Sequence, residues 1–406
     1  MSQEISFEPI RWDSRSIVLR TNLKYRKASG SRIERALRAR LPERALDVHF
    51  RFNRPLEVSG SALATAASTL CGRQYSRIDL KFSVSEEARK NIEGWTGAHV
   101  EAESEEARPQ PRHNGAVLLN FSGGFDSLAS RYLLPESHEL ISLDLGGRFA
   151  RERKFFRQFD PLIVKTNITD TPLRANSWSF LGIGSILAAE SLRGTYCTFG
   201  AVLEATLLQR GTPFERNNTF PPFAAVGLCN VPAAQGLSEI GTLLILEHFA
   251  PELIGESLGS LAGPREEKQV RKWALVEALR SYAGIERGPL VGPVFPDTPH
   301  YRVGENFVVD LSALAVAWLG RPDLTRLMVR DAEHKLIPAA KNLDLGFMLK
   351  ADKRMYANYP GPLKGRLAEQ LNTAGIEWYS PADEQSCEEI RQFIESLACE
   401  SQGIGG

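Results

Sequence analysis

The sequence predicts an α/β fold: a parallel sheet covered by helices, preceded by a small N-terminal α+β domain and followed by a helical C-terminal region. Three observations predict it. Between residues 117 and 200, short apolar runs alternate with helix-like segments, the pattern of repeated βα units. The first run breaks into Ser122-Gly123-Gly124-Phe125-Asp126-Ser127, so a buried strand feeds a glycine turn and a helix start. From about Pro251 onward the apolar spacing becomes helical.

The bulk numbers set limits. At 406 residues the chain exceeds one ordinary core, and at roughly 100–200 residues per domain two or three are expected. Its 43% hydrophobic and 24% charged residues belong to a folded chain, and 49 basic against 49 acidic residues leave no global field to recruit nucleic acid or an anionic membrane. Five scattered cysteines, with no CxxC pair and no histidine pair at helical zinc spacing, argue against a disulfide framework and against a structural zinc. The N-terminus lacks a signal-peptide pattern, and no apolar run approaches the roughly 18 residues of a membrane span. A cytoplasmic protein is expected.

Taken in order, the elements start with alternation in Val48-His-Phe50-Arg-Phe52 and in Ile78-Asp-Leu80-Lys-Phe82-Ser-Val84, which has the period of half-buried strands. Residues 31–41 and 61–70 look helical. The stretch from Arg20 to Arg54 is rich in arginine and lysine and reads either as a docking face for an acidic partner or RNA, or as a solvated face. Few aromatics accompany it, so nucleic acid is not expected as a partner. Residues 93–114 are polar, acidic and broken by Gly and Pro, the signature of a linker.

Next come strands at Val117–Phe121, Leu140–Leu143, Leu162–Lys165 and Thr195–Gly200, with helices from Asp126, Arg151 and Phe180. The last region carries helices at Glu266–Arg280, Leu311–Leu319 and Ser386–Ala398. The domains are therefore placed at 1–92, 93–114 (linker), 115–250 and 251–406. One Gly-x-Ser-x-Gly occurs, Gly255-Glu-Ser257-Leu-Gly259, without a preceding strand, and reads as a loop rather than a nucleophile elbow.

The glycine turn carries the chemistry. A helix start presents amides without intrahelical partners and about half a positive charge, which favours an anion, and the hydroxyls of Ser122 and Ser127 can add hydrogen bonds. Neither a Walker A loop nor a Gly-x-Gly-x-x-Gly fingerprint is present. A nucleotide-phosphate cradle is the reading, against a plain turn with a helix cap.

Ser122-Gly-Gly-Phe-Asp-Ser127 resembles the Ser-Gly-Gly-x-Asp-Ser signature of the PP-loop (N-type) ATP pyrophosphatases, whose fold is of the adenine nucleotide alpha hydrolase type. In that superfamily the loop holds the pyrophosphate of ATP while the α-phosphate is attacked. Leu143-Asp144-Leu-Gly-Gly-Arg148, Thr171-Pro-Leu-Arg174-Ala-Asn176, Thr198-Phe-Gly200 and Leu237-Ser-Glu239-Ile240 follow in order and resemble segments of the 7-cyano-7-deazaguanine synthases. The chain lacks their four-cysteine zinc cluster, has Leu237 where they carry a lysine, and adds about a hundred N-terminal residues. It is closer to the enlarged QueC-like proteins of bacterial anti-phage systems of the Qat and CBASS types.

The resemblance implies an ATP- and Mg²⁺-dependent, AMP-forming ligase. Its substrate would be a purine-like 7-deazaguanine carboxylate, joined to an amine such as the N-terminus of a partner protein. Two alternatives stand beside it: a nitrile-forming synthase, and a non-catalytic ATP-sensing subunit of a defence complex.

Within the resemblance, Ser122, Gly123, Gly124, Phe125, Asp126 and Ser127 form the cradle, with Phe125 as packing. Asp126 orients the loop or Mg²⁺, or caps the helix. Asp144 meets the ribose or adenine edge, or is a strand-end turn acid. Arg174 binds the α-phosphate or the substrate carboxylate, or makes a surface salt bridge. Asn176 and Gly200 line the pocket. Lys350 to Tyr359, rich in cations and aromatics, is either a lid or a solvated amphipathic helix.

Overall fold

The structure is a computed structural model that describes residues 3–25, 44–105, 115–207, 219–263, 265–288 and 290–403. The strands of its large sheet are β1 (Gln3–Asp13), β2 (Ser16–Tyr25), β3 (Arg44–Phe52), β4 (Arg77–Val84), β5 (His99–Ser104), β6 (Ala116–Asn120), β7 (Glu139–Asp144), β8 (Leu162–Thr166), β9 (Gly194–Thr198) and β10 (Cys229–Asn230). Its main helices are α1 (Gly60–Ser68), α2 (Glu86–Thr96), α3 (Phe125–Leu133), α4 (Ala150–Phe156), α5 (Ile183–Ala188), α6 (Leu203–Leu207) and α7 (Glu239–Phe249). They continue with α8 (Ile254–Leu261), α9 (Glu267–Ala283), α10 (Phe307–Trp318), α11 (Pro322–Met328), α12 (Gly361–Thr373) and α13 (Pro381–Gly403).

The chain forms two compact units. One comprises Met1–Ser122, Ser137–Phe199 and Asn218–Val231, the other Gly123–Glu136, Gly200–Asn217 and Pro232–Gly406. The first unit holds a single ten-stranded sheet in the order β10-β9-β6-β7-β8-β3-β2-β1-β4-β5. Pairs are parallel except β1–β2, β2–β3 and β3–β8. The chain is thus α/β with a large, mostly parallel sheet, and the β10-β9-β6-β7-β8 order is compatible with a Rossmann-like arrangement.

Alternation predicted β3 and β4 correctly because one face of each is buried. Val48, Phe50, Phe52, Ile78, Leu80, Phe82 and Val84 all lie in the core. The predicted βα units appear within a residue or two, except that the helix expected from Phe180 opens as a 3₁₀ turn, Trp178–Gly182, before α5.

The domain plan differs. Strands β1–β5 continue the central sheet through β3, which pairs with β8 in the register Phe50↔Thr166 and Phe52↔Val164. Side chains reinforce that seam: Asn53 Oδ1 accepts from the Ile163 amide at 2.7 Å, and Asn167 Nδ2 donates to the Asp47 carbonyl at 2.9 Å. Residues 93–104, expected in a linker, are the end of α2 and strand β5. Acidic composition misled because β5 is an edge strand with solvated side chains. Residues 106–114, the helix expected at 31–41 and most of the basic stretch lie outside the described residues.

The second unit is mostly helical, with a short parallel pair of strands, Tyr301–Arg302 and Val329–Arg330. Helices α3 and α7 pack together, with Tyr132 and Phe249 stacked at 5.7 Å. Ser257 sits inside α8 rather than in a loop. The 350–359 segment is not an amphipathic helix: it holds a 3₁₀ turn, Lys353–Tyr356, with Met355, Tyr356 and Tyr359 buried, and Tyr356 Oη donates to the Ala233 carbonyl at 3.0 Å. Lys350 and Arg354 are held by Asp383 and Asp352. No helix among the described residues is long and apolar enough to cross a membrane.

Candidate functional site

The motif straddles the division of the chain, so each part is described in its own unit. In the first unit, β6 and β9 are neighbours, and the strand order reverses between them. Asn120, the last residue of β6, donates from Nδ2 to the Thr198 carbonyl at 3.0 Å and accepts from Ser185 Oγ at 2.9 Å. Phe121 is buried, and its carbonyl accepts from Ser142 Oγ at 2.7 Å. The exit from β6 is therefore fixed before the glycine turn begins, and Ser122 is exposed at that exit.

The other candidates of this unit divide. Asp144 is 3% exposed with both carboxylate oxygens engaged: Oδ1 accepts from the Gly146 amide at 3.2 Å, and Oδ2 from Arg153 Nη1 at 3.2 Å. It braces the turn after β7. Asn176 Nδ2 donates to the Leu70 carbonyl at 2.9 Å and to Tyr75 Oη at 3.2 Å, so its amide ties a 3₁₀ turn to the end of α1. Arg174 is exposed on that turn.

In the second unit, Gly123 takes φ +82°, a backbone that only glycine adopts without strain, and Gly124 at φ −70°, ψ 161° is the N-cap of α3. Asp126 is therefore not the cap; it sits in the first turn with its side chain about one-third exposed. Ser127 is buried and its Oγ closes the loop, accepting from the Gly123 amide at 3.2 Å and donating to the Gly124 carbonyl at 3.1 Å. Phe125 is buried packing. Gly200 does come to the motif: a Cβ there would lie 2.9 Å from Ser127 Cα and 3.0 Å from the Asp126 carbonyl oxygen, and its φ of +71° also favours glycine.

Beneath this turn lies a buried ion network that only partly shows in the sequence. Lys272 of α9 is 1% exposed; its Nζ donates to Asp126 Oδ1 at 3.0 Å and pairs with Glu239 Oε1 at 3.1 Å. Arg271 binds Glu239 on one side and Glu267 Oε1, at 2.8 Å, on the other. Burial works to raise the Glu239 pKa, but Arg271 and Lys272 outweigh it and hold the carboxyl below its usual range. Glu204 of α6 accepts the Glu239 amide at 2.8 Å through Oε1. Burial first, and the Glu239 charge second, push its own pKa upward.

Glu239 was flagged by its place in Leu237-Ser-Glu-Ile. Lys272 was not. The signal was present: Lys272, Leu275, Val276 and Leu279 stand at i, i+3, i+4 and i+7, so the lysine occupies an apolar-stripe position. Ser257 follows the same logic beside Ile254 and Leu258 on α8.

The turn combines a positive-φ glycine, a helix start and the tight approach of Gly200, features that backbone anion sites share. Among the described residues no cluster of three or more His, Cys, Asp or Glu could hold a metal ion by itself. Mg²⁺ fits such a surface in another way, since it commonly enters with phosphate and takes one or two carboxylates, and Asp126 offers one. The chain matches no protein-family model, no curated protein and no solved structure.

Proposed function

We propose that the chain is an ATP-dependent, AMP-forming ligase of PP-loop type that adenylates a carboxylate and passes the acyl group to an amine. The observation that carries the reading is the turn from Gly123 to Ser127, which joins a positive-φ glycine, a glycine-capped helix start and the close approach of Gly200. Such a turn receives an anion through backbone amides.

A carboxylate does not react with an amine because hydroxide leaves poorly. In the first half-reaction a carboxylate oxygen attacks the α-phosphorus of ATP and the bond to pyrophosphate breaks. In the second the amine nitrogen attacks the acyl carbon, AMP leaves and the nitrogen loses a proton. The turn binds the pyrophosphate portion and stabilises the charge growing there. Asp126 would hold Mg²⁺, which supplies countercharge to the phosphates when bound. The sequence resemblance supports a 7-deazaguanine carboxylate as the acyl donor and a partner protein's N-terminus as the acceptor, in an anti-phage setting.

The test incubates the full chain with ATP, Mg²⁺, the 7-deazaguanine carboxylate and a partner protein. Expected are AMP, pyrophosphate and a deazaguanine mass increment on the partner, with Asp126→Ala slowing pyrophosphate release by about 100-fold or more. ATP binding without any pyrophosphate release would overturn the ligase and favour a nucleotide-sensing role.

A further inference from the structure

Two polar side chains outside the glycine motif reach into it from α8 and α9. Ser257 is wholly buried, and its Oγ donates to the Gly123 carbonyl at 2.7 Å. Lys272 holds Asp126 Oδ1 at 3.0 Å from a site that is 1% exposed. We propose that Ser257 and Lys272 are positioning residues that keep the turn in its anion-receiving form, the serine by fixing the Gly123 peptide and the lysine by fixing the Asp126 carboxylate. This rests on the reading of the turn as a nucleotide-phosphate site.

The Gly123–Gly124 peptide is flanked by two residues without a Cβ, so little intrinsic preference stops it from flipping. In a planar trans peptide the carbonyl and the following N–H point to opposite sides. Anchoring the Gly123 oxygen on Ser257 thus aims the Gly124 N–H the other way; a flipped peptide would present a carbonyl, and a negative partial charge, to an incoming phosphate.

The lysine answers a second difficulty. A carboxylate in the first turn of α3 opposes an anion unless its charge is offset and its direction fixed. Lys272 does both, and it cannot leave easily because Glu239, 7% exposed, would lose one of its two cations. The Lys272 ammonium also lies 5.6 Å from the centroid of the Phe125 ring, which keeps it beneath the helix start.

A purely structural ion network would change stability and leave ligand affinity alone in chains that remain folded. The test therefore uses full-length Ser257→Ala, Lys272→Met, Lys272→Arg and the double variant Asp126→Asn/Lys272→Met, which removes both charges of the pair. Each is titrated with Mg·ATP and with inorganic pyrophosphate by calorimetry, well below its own unfolding midpoint. Expected is a roughly tenfold weaker affinity for both ligands in Ser257→Ala, and a loss of that size or larger in Lys272→Met that Lys272→Arg partly restores.

Steady-state KM for ATP should rise more than kcat falls. If Lys272→Met does not fold, Ser257→Ala and Lys272→Arg decide. Wild type that binds both ligands, with folded variants binding equally well, overturns the positioning role alone. Wild type that binds neither overturns the phosphate-site reading, and the positioning role with it.

Discussion

Glu204 is a residue of the second unit whose environment opposes its charge. Its Oε1 accepts the Glu239 amide, while its Oε2 is buried and without a hydrogen-bond partner among the described residues. Because burial and the neighbouring Glu239 raise its pKa, the folded chain keeps a proton that the unfolded chain has lost. Stability therefore falls as pH rises above the ordinary carboxylate range near 4.5, by up to about 1.4 kcal/mol per pH unit from this one group. Asp310, pushed by burial up to about 7 and with Oδ1 unpartnered, has the same sign. Urea unfolding of wild type, Glu204→Gln and Asp310→Asn at about pH 5 and about pH 8 checks this. Each variant should show a shallower loss than wild type and be the more stable chain at the higher pH; parallel slopes would contradict the buried-acid assignment.

At the scale of elements, α7 depends on one hydroxyl. Ser238 is the N-cap: its Oγ accepts from the Gly241 amide at 3.0 Å and donates to the Met348 carbonyl at 2.6 Å, all of it buried. Ser238→Ala removes the cap and strands a carbonyl, so a loss of about 2 kcal/mol is expected in denaturant unfolding, and a loss below about 0.5 kcal/mol would refute it. Most elements could be read because their buried faces repeat: β3 and β4 every second residue, α9 at helical spacing.

Strand β1 could not, since only Ile5 and Phe7 among its described residues are buried and a bulge breaks the register between Pro9 and Arg11. Strand β2 was legible, with Ser16 to Leu19 buried as a run and Thr21 and Leu23 buried beyond it, but Arg20 and Lys24 drew it into a basic stretch. At the site the sequence revealed the local turn, whose φ demands are written in glycine. It concealed the long-range partners: the Ser257–Gly123 and Lys272–Asp126 pairs are 134 and 146 residues apart, and no local pattern encodes such a pairing.

Over the whole molecule, the expected cut at residue 250 divides a unit rather than separating two. The second unit takes its glycine turn and α3 from residues 123–136, α6 from 200–217 and the rest from 232 onward. A fragment of residues 115–250 keeps Asp126, Glu204 and Glu239 but loses Arg271 and Lys272, the cations that hold Asp126 and Glu239. An uncompensated buried carboxylate commonly costs about 3–5 kcal/mol, a large share of a typical domain's stability. The same fragment loses β3, leaving one edge of β8 without its antiparallel partner and open to pairing with other chains. The fragment should therefore show poor amide dispersion by NMR, no cooperative thermal transition and concentration-dependent aggregation, whereas the full chain unfolds cooperatively. A monomeric 115–250 fragment with a dispersed spectrum and a sharp melt would restore the contiguous domain that composition and spacing suggested, and would make the network around Lys272 dispensable for folding.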